Sequence, residues 1–236
     1  FCTIEPNVGE VAVPDPRLDQ LASIAKSQNV IPARMTFVDI AGLVKGASKG
    51  EGLGNQFLAN IREVDAVAHV LRCFEDEDVT HVDGHVDPIS DAETIETELM
   101  LADMESIEKR LQGLSRKVRG GDKEAVLQER LLKAALEVLE NGQPARTLEV
   151  DEEDAKAWKG LQLLTTKPIL YVCNVGEDEA GSGNIYSERV AAMAKEQGAR
   201  TVLISARIEE EISQLEQEEA ELFLGEMGVA QWLRNA

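Results

Sequence analysis

Asp39 and Gly42 are the first residues along the chain whose types and spacing suggest chemistry. Asp39 lies near the end of an apolar run, Met35 to Ile40, and Gly42 follows three residues later. In open sheets of parallel strands, ligands bind at the carboxyl ends of the strands. An Asp there can hold Mg²⁺ through a water, and a Gly lets a backbone N–H come close to a phosphate. The pair predicts a phosphate sensor, although Asp-x-x-Gly alone is also typical of a strand that ends in a turn.

A loop rich in glycine and lysine follows, from Val44 to Asn55. Such a loop can re-form around a phosphate group, because its backbone N–H groups are accessible and its conformation is easily changed. The spacing Gly50-x-Gly52-x-Gly54 lacks the third glycine of a dinucleotide-binding fingerprint, and it begins some ten residues after the strand. The loop is therefore interpreted as phosphate-associated and not as a dinucleotide site.

A second strand-like run, Pro168 to Cys173, also ends in polar residues. Asn174 follows it, with Val175 and Glu177 after that. Guanine-binding proteins carry N-K-x-D at the corresponding place, where the Asp accepts two N–H groups of guanine. Here Val175 replaces the Lys and Glu177 replaces the Asp, which argues against guanine as the preferred base.

Four short runs rich in β-branched residues predict the strands that position these side chains. They are Met35 to Ile40, Ala66 to Leu71, Pro168 to Cys173, and Thr201 to Ile204, which the small residues Ser205 and Ala206 follow. Helical periodicity at Asn55 to Val64 and at Tyr186 to Gln197 supplies crossover connections. Apolar strands that alternate with helices predict a doubly wound, mostly parallel α/β sheet. A further run, Glu10 to Val13, stops at a proline and is expected to be an edge strand.

One stretch breaks this alternation of strand and helix. Its apolar residues recur at alternating steps of four and three, first at positions 100, 104, 107, 111, 114 and 118, and again beyond the turn-forming Gly120, Gly121 and Asp122. The pattern predicts an antiparallel helical hairpin inserted at residues 89–165. Residues 1–88 and 166–236 would then form the α/β domain.

The chain is strongly acidic, with one local exception. Its formal charge of −20 disfavours general adhesion to nucleic acid or membranes, and no apolar run approaches the roughly 20 residues of a membrane helix. The predicted turn of the hairpin is basic instead, which indicates either a phosphate-binding surface or a solvated helix with i,i+4 ion pairs. This basic cluster comprises Lys109, Arg110, Arg116, Lys117, Arg119 and Lys123. Three widely spaced cysteines fit neither a disulfide framework nor a zinc site, and are expected to be small buried residues.

The order of these motifs resembles the Obg-like ATPases of the YchF type, in the translation-factor-related class of P-loop NTPases. The resemblance runs from Phe1 to about Met227. It rests on FCTIEPN at 1–7, FVDIAGLVKGASKGEGLGN at 37–55, FLANIR at 57–62, LRCF at 71–74 and NVGE at 174–177. It implies a P-loop NTPase-like α/β domain with an inserted helical hairpin, ATP preferred over GTP, Mg²⁺ as cofactor, and association with the ribosome or its RNA, in agreement with the basic cluster.

The resemblance also assigns roles to single residues. Thr3 is expected to supply a hydroxyl to Mg²⁺. Asp39 and Gly42 occupy the switch positions, and Asp39 would hold Mg²⁺ through a water. Leu43 stands where many relatives carry a glutamine that orients the attacking water. Because a Leu side chain cannot hydrogen-bond that water, hydrolysis is expected to be slow. The residues expected to frame the adenine are Asn174, Val175, Glu177, Ser205 and Ala206.

No G-x-x-x-x-G-K-[ST] motif occurs in the 236 residues. The family carries this phosphate-binding loop just upstream of the position of Phe1, and a small β-rich TGS domain downstream. We therefore expect an internal fragment of a cytoplasmic, slow ATPase switch, with little hydrolysis by the fragment alone. Two alternatives stay open. One is a non-catalytic module whose hairpin binds RNA or protein, and the other, resting on fold analogy alone, is a GTPase.

Overall fold

A computed structural model describes residues 7–40, 53–76, 85–216 and 219 of the chain. The chain divides between residues 61 and 62 into two units, each with its own small sheet. In the part of the chain that is described, no helix is both long enough and apolar enough to cross a membrane.

The sheet of the first unit is a pair of antiparallel strands. β1, Asn7–Ala12, pairs with β2, Arg34–Asp39, so that the first residue of β1 lies opposite the last residue of β2. Helix α1, Pro16–Ala25, connects them and begins with a proline at its first turn. Its cap, Asp15, accepts a hydrogen bond from the Arg17 backbone, and the Arg17 guanidinium lowers the pKa of Asp15 to about 2. The expected edge strand is confirmed, and it begins three residues earlier than predicted.

The second unit contains a parallel sheet. Helix α2, Leu53–Glu63, precedes β3, Val67–Arg72, and this strand pairs with β4, Ile169–Asn174. On its other side β4 pairs with β5, Arg200–Ile204, so that the strand order is β3-β4-β5. Each of the three strands lies within one residue of its predicted position. The predicted parallel α/β sheet is therefore confirmed for these three runs, whereas the fourth, Met35 to Ile40, forms β2 and pairs antiparallel with β1, because an apolar run does not specify the direction of its neighbour.

Helix α6, Ile185–Glu196, connects β4 to β5, and α7, Ala206–Ile212, follows β5. One face of the sheet packs against α6 in a cluster of buried residues that includes Leu71, Tyr171 and Val190. Cys73 and Cys173 belong to the same cluster and are 0% and 2% exposed, as expected for small buried residues. A hydrogen bond between the two thiols raises the pKa of Cys73 and lowers that of Cys173.

Two long helices form the predicted hairpin. α3, Pro88–Arg119, has 32 residues, which corresponds to about 48 Å at 1.5 Å per residue. α4, Lys123–Glu140, packs against it after a three-residue turn. In that turn Gly121 has a φ of +75°, and Asp122 caps α4 by accepting from two backbone N–H groups. Ile107, at 0% exposure, belongs to a cluster of buried apolar residues from both helices, so the predicted apolar seam is confirmed.

The chain returns from α4 to β4 through 3₁₀ turns at Ala145–Thr147, Glu152–Asp154 and Leu164–Thr166, with a short helix α5, Ala155–Gly160. The buried Asp103 of α3 fastens the last of these turns. It accepts hydrogen bonds of 2.7–2.8 Å from the backbone of Leu164 and from the backbone and hydroxyl of Thr165. The treatment of residues 89–165 as a separate inserted domain stays a prediction.

Candidate functional site

A cleft opens at the carboxyl edge of the parallel sheet, where β3, β4 and β5 end side by side. Its volume is about 770 Å³, which lies within the ~300–1,000 Å³ typical of small-molecule sites. Residues 74–76, 174–179 and 205–207 line it, together with Asn184, Tyr186 and Glu210. All five residues expected to frame the base are among them. The cleft thus brings together residues that are up to 136 positions apart in sequence (210 minus 74).

Asn174, the last residue of β4, offers the cleft a hydrogen-bond donor. Its Oδ1 accepts from the backbone N–H of Ala206 at 2.9 Å, which connects the end of β4 to the start of α7. This bond fixes the orientation of the amide, because a backbone N–H can only donate. Within the described residues, the Nδ2 group has no acceptor at hydrogen-bonding distance. It is therefore available to an acceptor on a ligand.

Glu177 offers the cleft an acceptor. It begins the 3₁₀ turn Glu177–Glu179, and its Oε1 lies 2.8 Å from Nε of Arg207 on α7. The ion pair engages one carboxylate oxygen and leaves the other available. A carboxylate oxygen can accept from an N–H group such as the exocyclic amine of a base.

Val175, Ser205 and Ala206 shape the cleft without supplying a polar side-chain contact of their own. Val175 is 2% exposed, and its side chain belongs to the core cluster under the sheet. Its backbone N–H donates to Ile204 at 2.9 Å, which extends the pairing of β4 and β5 beyond the strands. Ser205 is buried in front of α7, and Ala206 lies exposed on the rim. These residues hold the donor of Asn174 and the acceptor of Glu177 in place.

Sequence reasoning missed the side chains that fasten the cleft to α6. Asn184 caps α6, and its Nδ2 donates to the backbone oxygen of Cys73 at 2.6 Å and to Glu179 at 2.7 Å. The Tyr186 hydroxyl donates to Glu75 at 2.5 Å, and this hydrogen bond raises the pKa of the phenol. An Asn before an apolar helix does signal a cap. Nothing in the sequence signals the bonds to residues 73 and 75, which lie 111 positions away.

The loop after β3 adds an aromatic wall. Phe74 lines the cleft, and the Arg72 guanidinium carbon lies 4.9 Å from the centre of its ring. Arg72 Nε also donates to the Phe74 backbone oxygen at 3.1 Å. The cation holds the ring from one side. The cleft therefore combines an aromatic surface with one donor and one acceptor, a set of groups that suits a flat, polar heterocycle.

The residues predicted to bind Mg²⁺ and the γ-phosphate are placed only in part. Asp39 is the last residue of β2 and is exposed, whereas Thr3, Gly42 and Leu43 lie outside the described residues. Among the residues described, there is no group of three or more His, Cys, Asp or Glu side chains that could hold a metal ion. One exposed carboxylate fits a water-mediated contact to a Mg²⁺ ion whose other ligands come from nucleotide phosphates and water. The Mg²⁺ site stays a prediction.

The basic cluster lies on the hairpin, and all six of its side chains are on exposed residues. Three of them have partners within the chain, and one of these is Arg119, whose Nε donates to the Ser115 backbone oxygen at 3.2 Å. Lys109 pairs with Glu105 one turn away at 2.6 Å, and Arg110 donates to the backbone oxygen of Leu161 at 2.6 Å. Among the described residues, no carboxylate lies within ion-pair distance of the four cations around the turn, Arg116, Lys117, Arg119 and Lys123. These four form the part of the cluster most available to a partner.

Comparison with known proteins agrees with the fold. Residues 1–103 match the family model of 50S ribosome-binding GTPases. Proteins named ribosome-binding ATPase YchF from Haemophilus influenzae and Bacillus subtilis are 51% and 50% identical over 97% of this chain, which spans 63% of the length of each. The YchF GTPase structure from Schizosaccharomyces pombe is similar with a TM-score of 0.80 at 35% identity, over 98% of this chain and 64% of that one. The fold, the motifs and this identity along nearly the whole chain show that it belongs to the YchF family of P-loop NTPases.

Proposed function

We propose that the chain is the nucleotide-binding part of a slow, ATP-preferring nucleoside triphosphatase that associates with ribosomes in the cytoplasm. The observation that carries the proposal is the cleft at the carboxyl edge of the sheet, with the donor of Asn174 and the acceptor of Glu177. The related proteins are named ATPases in two cases and a GTPase in a third. The preferred base therefore has to be argued from the cleft itself.

The hydrogen-bonding groups of the cleft favour adenine. Adenine presents an amine donor beside ring-nitrogen acceptors, whereas guanine presents the O6 acceptor beside two N–H donors. Asn174 Nδ2 can donate to a ring nitrogen, and the available oxygen of Glu177 can accept from one amine. Guanine would need both oxygens of Glu177 for its two adjacent N–H donors, and only one of these oxygens is available. A site with unmatched polar groups rejects the wrong base.

Phosphate binding and hydrolysis are proposed on the residues of the switch motifs. Thr3, and Asp39 through a water, would hold Mg²⁺, and Gly42 would place a backbone N–H near the γ-phosphate. Leu43 cannot orient the attacking water, so turnover would be slow. Because the 236 residues contain no G-x-x-x-x-G-K-[ST], we expect them to hydrolyse ATP poorly on their own.

Ribosome association is proposed for the hairpin. The four cations around its turn stand on an otherwise acidic chain, and cations with few partners in their own chain can bind RNA phosphates. The same cluster, together with Leu43, also favours the second candidate function, a non-catalytic module that binds RNA or protein. The two candidates differ in whether the cleft binds a nucleotide.

Isothermal titration calorimetry with Mg-ATP and Mg-GTP tests the proposal. We expect the chain to bind ATP more tightly than GTP. GTP binding as tight as ATP binding would overturn the preference for adenine. Binding of neither nucleotide would overturn the enzyme and favour the non-catalytic module, which sedimentation with ribosomes would then test.

A further inference from the structure

We propose that Arg207 determines base selectivity by acting through Glu177. The inference rests on the proposed function of the cleft, and it concerns a residue that the motif pattern does not include. Arg207 lies in the first turn of α7, directly after the small residues that close the cleft. By holding one oxygen of Glu177, it leaves this carboxylate able to accept from one donor but not from two.

The ion pair crosses the cleft between two strand ends. Glu177 comes from the loop after β4 and Arg207 from the segment after β5, and Nε lies 2.8 Å from Oε1. Both side chains line the cleft and remain partly exposed, at 74% for Arg207 and 39% for Glu177. A ligand that enters the cleft therefore meets the carboxylate with Arg207 already in place.

Arg207 is also the single cation on an acidic surface. Among the described residues that line the cleft it is the only basic side chain, and six lining residues are acidic. These are Glu75, Asp76, Glu177, Asp178, Glu179 and Glu210. Without Arg207, Glu177 would have both oxygens available and no cation beside it. Such a carboxylate is the partner that the two adjacent N–H donors of guanine require, since it can accept two parallel hydrogen bonds.

The size of the effect follows from the exposure of the pair. A base with two donors has to displace Arg207 before it can use both oxygens, whereas a base with one amine does not. Exposed ion pairs change equilibria by a factor of about two to five. We therefore expect Arg207→Ala to lower the ratio of the GTP to the ATP dissociation constant by about two- to fivefold, because the loss of the cation affects the triphosphates of both nucleotides alike.

The test compares the ratio of the GTP and ATP dissociation constants in the wild-type chain and in a set of variants, by calorimetry with the Mg²⁺ nucleotides. Arg207→Ala should lower the ratio, and Arg207→Lys should keep most of it, because an ammonium can make the same single contact. Glu177→Gln should not lower it, because an amide has a single oxygen and cannot accept from both N–H donors of guanine. In the Glu177→Gln background, Arg207→Ala should cause no further change if Arg207 acts only through the carboxylate. Arg189→Ala is the matched control, because Arg189 pairs with Asp87 and does not line the cleft.

Each result decides one of the two proposals. If the wild-type chain prefers ATP and Arg207→Ala keeps the same ratio, the role of Arg207 is wrong while the proposed function stands. The role is also wrong if Arg207→Ala changes the ratio equally with and without Glu177→Gln. If the wild-type chain binds neither nucleotide, or binds GTP at least as tightly as ATP, the proposed function fails and this inference fails with it.

Discussion

Replacing Asn174 by Asp tests the donor of the cleft with a side chain of nearly the same shape. In the wild-type chain the backbone nitrogen of Ala206 lies 2.9 Å from Oδ1 of Asn174, and the new carboxylate can accept the same hydrogen bond. The connection between β4 and α7 is therefore kept, and the free energy of unfolding should change by less than about 1 kcal/mol. The change removes only the N–H donor that the amide presents to a ligand.

The expected loss of ATP binding follows from that donor. A ligand acceptor that faced Nδ2 in the wild-type chain would face an oxygen in the variant and stay unpaired. An unpaired polar group in a binding site costs about 1–3 kcal/mol. Since 1.4 kcal/mol is about tenfold, ATP should bind about 5- to 150-fold more weakly. A further negative charge among six acidic lining residues repels the triphosphate as well.

The assay is calorimetry with Mg-ATP, together with thermal unfolding followed by circular dichroism. Asn29→Asp is the matched control, because Asn29 is exposed, does not line the cleft, and receives the same change of charge. The reasoning is refuted if Asn174→Asp unfolds at the wild-type temperature and binds ATP as tightly as the wild-type chain. A loss of binding in Asn29→Asp of the same size would show that net charge, and not the donor, is responsible.

Three further predictions address the hairpin and the fold. Reversal of Arg116, Lys117 and Arg119 to Glu should abolish sedimentation with ribosomes at low salt, because phosphate contacts depend on cations; unchanged sedimentation would remove the basic cluster from the proposal. Asp103→Ala leaves two buried backbone N–H groups without their acceptor and should lower the free energy of unfolding by about 3 kcal/mol or more, measured with urea. Burial raises the pKa of Asp103 in the folded state above its ordinary value of 3.8. The folded state therefore binds this proton more tightly than the unfolded chain does, which adds stability at low pH. This stability is lost as the pH rises from 3.8 through the pKa of the folded state. Asp103→Asn should remove this part of the pH dependence. Gly183→Ala should lower the melting temperature more than Gly121→Ala does. Both glycines have a positive φ, but only at Gly183 would the added Cβ meet another atom, the Ser187 hydroxyl oxygen at 2.7 Å. An equal effect of the two substitutions would show that this close contact relaxes freely.

The strands and the hairpin could be predicted because their signals are local. Residues 67–72 and 169–174 are short, mostly apolar runs rich in residues that favour strands. The hairpin has a seam with steps of three and four that a turn containing Gly121 interrupts, and a positive φ at this position requires a residue like glycine. The carboxyl ends of parallel strands meet at one edge, so Asn174 and Ala206 could be expected to lie together.

The remaining features depend on tertiary packing and have no local signal. Arg207 and Glu177 are 30 positions apart (207 minus 177), and nothing in either loop indicates that they pair. Asn184 could be predicted as a helix cap, but its second role, donation to the backbone of Cys73, depends on how α6 lies against β3. The antiparallel pairing of β2 with β1 was also missed, because an apolar run does not specify the direction of its neighbour.

The central claim is that the cleft at the carboxyl edge of the parallel sheet binds the base of ATP. A titration of the isotope-labelled chain with Mg-ATP and with Mg-GTP, followed by NMR of backbone and side-chain amides, tests it most directly. The account predicts that ATP shifts the Asn174 side-chain amide and the backbone amides of Val175, Glu177 and Ala206 most, and that GTP at the same concentration shifts them less. Shifts by ATP that spare these four residues, or larger shifts there with GTP than with ATP, would contradict it.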